Sequence, residues 1–500
     1  MQDFYRGHSV KAEKIFDQTF TARNFNTSPL TISGLEGDLY DYKILFWCDA
    51  ASGDSIMEIT LNSDTGSNYR NYEMKGLSTT ASAAVGDSDT AIELQNLLGT
   101  ANPNLLMMAI TGSSGDERYI DSMYAADGAI LKQSSYWTNT ADAIDEITFT
   151  AASSVTADAH IIVYRTLKEA SQEKWELMEK QIVSSQNING NATPVNFTLD
   201  GDSDITYKID VEGSYDSTAL DLGFQLNSDT SSNYKKQSLR NNGTIGAQNF
   251  NDSYGEVQRS PVTTNLIASS LIINAESGVK RLITSTSSAA ASTGNRQLSA
   301  ATWWDNTGSN LISIDIGQFQ VPATSTPWTG SIKLYRSRNP KTIGETLPFE
   351  MVEEVAVSGD FSAGHTFSGL SGDDVTLYKI EGLFSTVGND LRLQLDGDTG
   401  SNYEEQYLKG VSSTASAATT TTTFELLCDA SASKVAYFEY YLYTISGENR
   451  PSLLRVGHGE DSVELKAHWW NNTADEINSI KVYASSTTTC TGTLKLSRLI

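Results

Sequence analysis

Residues 42–69 read YKILFWCDAASGDSIMEITLNSDTGSNY. The stretch returns as YKIDVEGSYDSTALDLGFQLNSDTSSNY at 207–234 and as YKIEGLFSTVGNDLRLQLDGDTGSNY at 378–403. In the third copy Leu391, Leu393 and Leu395 alternate with Arg392 and Gln394, the two-residue period of a strand with one buried face. A turn follows. In the first copy Asp64 and Asn68 can bond their own backbone, and Gly66 is expected to supply a positive φ. The tyrosine after the turn then restarts an inward-facing strand.

Working outward, two more landmarks follow each copy in fixed order. WTNTADAIDEITF starts at Trp137, WDNTGSNLISIDI at Trp304 and WNNTADEINSIKV at Trp470. AHIIVYR then ends at Arg165, GSIKLYR at Arg336 and GTLKLSR at Arg498. Three ordered matches per copy predict three domains, at 31–166, 196–337 and 366–500, each about 135 residues and so of ordinary size. A period this long predicts autonomous domains in series rather than a solenoid of small units. Short strands without helical crossovers make the fold class all-β, with three tandem antiparallel β-sandwich domains. Jelly-roll connectivity is the better expectation among Greek keys.

Three segments fall outside the repeat. Residues 1–30 read as an N-terminal arm, with a short helix near 8–20. Residues 338–365 read as an irregular linker with a strand at 352–357. Residues 167–195 read as a helical linker, because KEASQEKWELMEKQIVS at 168–184 lacks Gly and Pro and carries helix formers. There Trp175, Met178 and Ile182 share one apolar stripe. A lone helix of about four turns is marginal in water, so this face is expected to pack on a neighbour as an assembly helix.

The 35 Lys and Arg against 61 Asp and Glu give a formal net charge of -26. This argues against nucleic acid and against an anionic membrane surface as partners. The densest apolar run, Leu105 to Ile110, is too short to span a bilayer. Cys48, Cys428 and Cys490 occupy non-equivalent positions, so no disulfide framework is expected, which fits a reducing cytoplasm. The first residues lack the apolar core and cleavage site of a signal peptide.

Catalytic signals are sparse. His8, His160, His365, His458 and His468 fall in no metal-ligand spacing, and there is no Walker loop, nucleophile elbow or dinucleotide fingerprint. The chain is expected to be non-enzymatic and without a cofactor. The acidic turns are the best ion candidates: Asp64 with Asn68, Asp229 with Asn233, and Asp396 and Asp398 with Asn402. Calcium favours such oxygens, but the full calcium-loop pattern is missing and a plain Asx turn is preferred. Neighbours on a strand face opposite sides. Trp137, Trp304 and Trp470 are therefore expected in the core, leaving Tyr136, Trp303 and Trp469 outward for interface or ligand contact.

The strand–turn–strand L-x-L-N-x-D-T-G-x-N-Y at Leu61–Tyr69, the W-x-N-T-A-D segment from Trp137 to Ile147 and the closing strand ending at Arg165 resemble β-sandwich modules in structural proteins of tailed bacteriophages. The counterparts in copies two and three extend the resemblance over about 400 residues. It implies a virion component. The missing export signal fits assembly in the host cytoplasm. The lack of a collagen-like or coiled-coil shaft and of a glycine-rich tip favours a place exposed on the capsid or at the head–tail or vertex region over a long fibre. The implied partners are other virion proteins, such as major capsid, portal or tail proteins, with a homo-oligomer on the particle. A tail fibre gripping host glycans or proteins, or a cellular surface adhesion module, are the alternatives.

Overall fold

The computed structural model describes residues 12–167, 175–337 and 349–499, apart from short segments inside these ranges, the longest at 259–266 and 320–326. Every regular element among them is a strand. The first unit has β1 (Glu13–Asn24), β2 (Leu30–Ser33), β3 (Tyr40–Ala50), β4 (Ser55–Leu61), β5 (Tyr69–Leu77), β6 (Thr80–Asp89), β7 (Ile92–Leu98), β8 (Asn104–Thr111), β9 (Arg118–Ala126), β10 (Ala129–Trp137), β11 (Glu146–Ala151) and β12 (Thr156–Leu167). They form an eight-stranded sheet ordered β1-β12-β3-β8-β9-β10-β5-β6 and a four-stranded sheet ordered β2-β11-β4-β7.

These orders define a jelly roll. The strand pairs β1/β2, β3/β4, β7/β8 and β11/β12 each cross from one sheet to the other, and neighbours are antiparallel. The hairpins β5–β6 and β9–β10 are insertions that extend only the larger sheet.

The second unit repeats the order with β13 (Trp175–Gln186), β14 (Val195–Gly201), β15 (Thr206–Tyr215), β16 (Leu222–Leu226), β17 (Tyr234–Asn241), β18 (Ile245–Asp252), β19 (Gly255–Gln258), β20 (Ile267–Asn274), β21 (Arg281–Ala289), β22 (Arg296–Trp304), β23 (Leu311–Gly317) and β24 (Trp328–Ser337). The third does so with β25 (Phe349–Asp360), β26 (His365–Ser368), β27 (Leu377–Val387), β28 (Leu391–Leu395), β29 (Tyr403–Val411), β30 (Thr414–Thr422), β31 (Glu425–Cys428), β32 (Lys434–Tyr443), β33 (Arg450–His458), β34 (Ser462–Trp470), β35 (Ser479–Ala484) and β36 (Thr489–Leu499). Leu391, Leu393 and Leu395 are all buried, as their alternation requires. Each unit has its own apolar core between its sheets.

The expected assembly helix is a strand. Trp175–Gln186 is β13, the edge strand of the second large sheet, paired along β24. Helix propensity is a weak prior, and a ready ladder partner overrides it. The apparent helical stripe has a local cause: a bulge between Leu177 and Glu179 shifts the side-chain phase at Met178. Met178 packs against the core of its unit, whereas Ile182 is 73% exposed. Residues 168–174 lie outside the described residues.

The unit boundaries shift accordingly. β1 and β25 hold the same edge position, each pairing with the last strand of its unit and each bulging at the equivalent place, between Lys14 and Phe16 and between Met351 and Glu353. The expected arm helix and the second linker are thus opening strands of their own sandwiches, with 1–11 and 338–348 outside the described residues. Glu13 and Glu350 reach Arg165 and Arg498 at 2.8 and 2.7 Å, tying first strand to last. Lys and Glu along these edges suit strands whose outer backbone has no ladder partner among the described residues.

Candidate interaction site: repeated turns and a three-fold junction

Each repeated turn builds the same node. Asp64 Oδ1 accepts the backbone N–H of Gly66 at 2.9 Å, and Oδ2 accepts Asn68 Nδ2 at 2.9 Å and Trp137 Nε1 at 2.7 Å. Asp229 receives Ser231 N, Asn233 Nδ2 and Trp304 Nε1 at 2.9, 2.8 and 2.8 Å. Asp398 receives Gly400 N, Asn402 Nδ2 and Trp470 Nε1, each at 2.8 Å. Partial burial raises the pKa of all three carboxyls, but these N–H donors outweigh it and hold them below the ordinary value. The tyrosine ending each motif, Tyr69, Tyr234 or Tyr403, accepts at its hydroxyl the N–H of Leu61, Leu226 or Leu395 at 2.8, 2.7 and 2.9 Å.

Sequence reading missed the arginine of the node. Arg118, Arg281 and Arg450 are cross-strand partners of Trp137, Trp304 and Trp470. Their guanidinium groups lie 5.1, 5.0 and 5.0 Å from the indole centroids. Nη1 of each donates to the carbonyl of Asn139, Asn306 or Asn472. The sequence signal was an arginine opening the strand before each tryptophan strand.

The positive φ also falls elsewhere than expected. It sits at Asn62 and Ser63, at Asn227 and Ser228, and at Asp396 and Gly397, leaving Gly66 outside the left-handed region. Asp396 bonds a different set of groups from Asp398. Its Oδ1 accepts the N–H groups of Asn478 and Ser479 at 2.8 and 2.7 Å, the role that Asn62 plays toward Asp145 and Glu146. Among the described residues no group of three or more His, Cys, Asp or Glu is placed to hold a metal ion.

The three units close into a ring. β5, β17 and β29 each touch the other two. Each also meets the β10-type strand of one neighbour in a single rotational sense, β5 with β22, β17 with β34 and β29 with β10. A cyclic set of this kind defines a pseudo-three-fold axis. Met74, Leu239 and Leu408, each five residues after the motif tyrosine, are fully buried in one cluster shared by all three units. Tyr72, Gln237 and Gln406, two positions earlier on the same strands, are also fully buried.

The aromatics expected outside are buried, and the junction covers Trp469. Tyr136, Trp303 and Trp469 are each only 1% exposed. Trp469 Nε1 donates to the carbonyl of Pro103 in the first unit at 2.8 Å. Trp47 stacks on Tyr443 with centroids 5.8 Å apart, and the Tyr443 hydroxyl meets His160 Nδ1 at 2.8 Å. The first and third units also line an open pocket of about 160 Å³, with Met107, Met123, Lys132, Asp121, Glu439 and Arg455 in its wall. In its wall Lys132 meets Asp121 at 2.5 Å, and Glu439 lies 3.4 Å from Lys379.

The third unit also carries a buried ionic layer. His468 Nε2 lies 3.0 Å from Glu405, and Lys466 Nζ lies 3.0 Å from Glu464. Burial raises the Glu405 carboxyl, but Lys466 and His468 more than reverse this and hold it below its ordinary value. The same positions hold Asn71 and Ser135 in the first unit, joined at 2.7 Å. All three cysteines are buried and free.

No family model and no curated protein matches the chain. Among solved structures, the LG1-3 region of the laminin alpha2 chain aligns over 94% of this chain and 96% of its own, at 11% identity and a TM-score of 0.15. An acyl-CoA thioesterase II, TesB2 from Mycobacterium marinum, aligns over 51% of this chain and 82% of its own, at 12% identity and a TM-score of 0.12. Likenesses this slight say nothing about function.

Proposed function

We propose that this chain is a structural protein of a tailed-phage virion, exposed on the capsid or at the head–tail or vertex region, and that it acts by protein–protein contacts rather than turnover. The observation that carries this reading is the closed ring. Three jelly rolls, each with its own core, meet at a further apolar cluster, which makes one body with many contact faces. Among the described residues, the acidic groups of the repeated turns are engaged in structural bonds, at Asp64, Asp229 and Asp398, and His468 is fully buried. The acidic surface, with a net charge of -26, keeps crowded copies soluble and favours protein over nucleic acid as partner.

The test is a map of the purified particle together with a count of chains per particle. The reading expects the ring on the outer surface in a fixed stoichiometry to a shell, portal or tail subunit. Absence from the particle, or hydrolysis of host polysaccharide by the pure chain, overturns it. Binding of the free chain to host cells would move the assignment to a receptor-binding fibre.

A further inference from the structure

We propose that the tips of the three repeated turns form one three-point docking face, and that its partner presents three equivalent protein subunits around an axis. The inference rests on the virion reading and names the partner within it: a place where three like subunits of the particle meet.

The first observation is closure. Units one and three are joined directly through Trp469 with Pro103 and Tyr443 with His160. A ring whose ends meet leaves no matching interface open for another copy, so one chain already has the symmetry that three separate subunits would have.

The second observation is at the tips. Thr65, Thr230 and Thr399 are identical in the three copies, as are Ser67, Ser232 and Ser401, and all six are exposed. Asp64, Asn68 and Tyr69 have structural duties that explain their recurrence. The six hydroxyls form no hydrogen bond among the described residues, so the fold gives no reason for their retention. Nearby positions have drifted, with Arg70, Lys235 and Glu404 equivalent, and Gly66, Ser231 and Gly400 likewise. Thr140 and Thr473 are exposed on the loop running beside the tip, where Thr138 N bonds the Asn68 carbonyl and Asn471 N bonds the Asn402 carbonyl, both at 2.8 Å.

A partner that differed at each tip would impose three different demands. A partner repeated three times imposes the same demand on each, and the ring places the tips at equivalent positions about its axis. Three weak contacts on one rigid body then add as avidity.

The experiment adds purified full-length chain to particles assembled without it. The variants are Thr65→Arg, Thr230→Arg and Thr399→Arg, singly and together. Because these side chains are exposed and unbonded, all variants should melt like the parent. The expected result is one chain seated on each occupied three-fold position with its tips toward the shell. Single variants should weaken binding by similar factors, and the triple variant by on the order of 100-fold. Parental binding by the triple variant, attachment through another face, or a seat without three-fold symmetry overturns the proposal. Failure of the parent chain to bind particles at all instead overturns the virion reading on which it rests.

Discussion

The indole of Trp469 donates its N–H to the carbonyl of Pro103 at 2.8 Å, across 366 residues of sequence. The bond closes the ring by joining the last unit to the first. Trp469→Phe keeps most of the apolar contact and removes the donor, leaving a buried carbonyl unpaired. The expected loss is about 1–3 kcal/mol, read as a lower denaturant midpoint, with faster proteolysis between the first and third units. An unchanged midpoint and digestion pattern would deny the bond its closing role.

Gly76 approaches the third unit so closely that an added Cβ would lie 2.9 Å from the Tyr407 carbonyl oxygen and 3.1 Å from Leu408 Cβ. Gly76→Ala should therefore cost about 1–3 kcal/mol through overpacking. Thermal unfolding compared with an Ala substitution at an exposed glycine such as Gly308, whose added Cβ meets nothing, separates the junction effect from a general glycine effect.

Asp64, Asp229 and Asp398 have carboxyls held below their ordinary value by indole, amide and backbone N–H donors. Their contribution to stability is fully present above the unfolded carboxyl pKa of about 4 and is lost as pH falls through the lower folded values. Asp398→Asn turns an amide N–H toward both Trp470 Nε1 and Asn402 Nδ2 or, flipped, toward the Gly400 N–H, so a donor meets a donor either way. The variant should melt lower at neutral pH, by about 1–3 kcal/mol, and lose part of the parent's acid sensitivity below about pH 4. Melting curves at neutral and acid pH read both effects.

Ile182 stands on the exposed side of an edge strand. Ile182→Lys should change stability by less than about 0.5 kcal/mol. A loss of several degrees in melting temperature would show that the residue is buried after all, as a packed helix would require.

Met74, Leu239 and Leu408 lose their shared environment if the units are separated. Residues 349–500 expressed alone should expose this cluster, bind a hydrophobic dye and aggregate more readily than the whole chain. Leu408→Ala in the full chain should cost about 2–5 kcal/mol. A soluble, dye-negative third unit with parental stability would favour sandwiches that fold without one another.

Strand character, the three-fold repeat and the Asx turns were legible because they are local. Alternation in Leu391–Leu395 fixes which side chains share a face, and the spacing of aspartate and asparagine fixes the turn, before any distant contact forms. The opening strand was not legible in the first two units, and in the third only in part, as the strand expected at 352–357 within Phe349–Asp360. Its pairing partner lies far along the chain, its bulge breaks the two-residue period at Met178, and its charged edge composition imitates a helix. The outward direction of Tyr136, Trp303 and Trp469 also followed from strand alternation, but what covers them did not. A strand sets the side of the sheet on which a ring stands, and only the packing of three sheets about a common axis decides whether that side faces water or another unit.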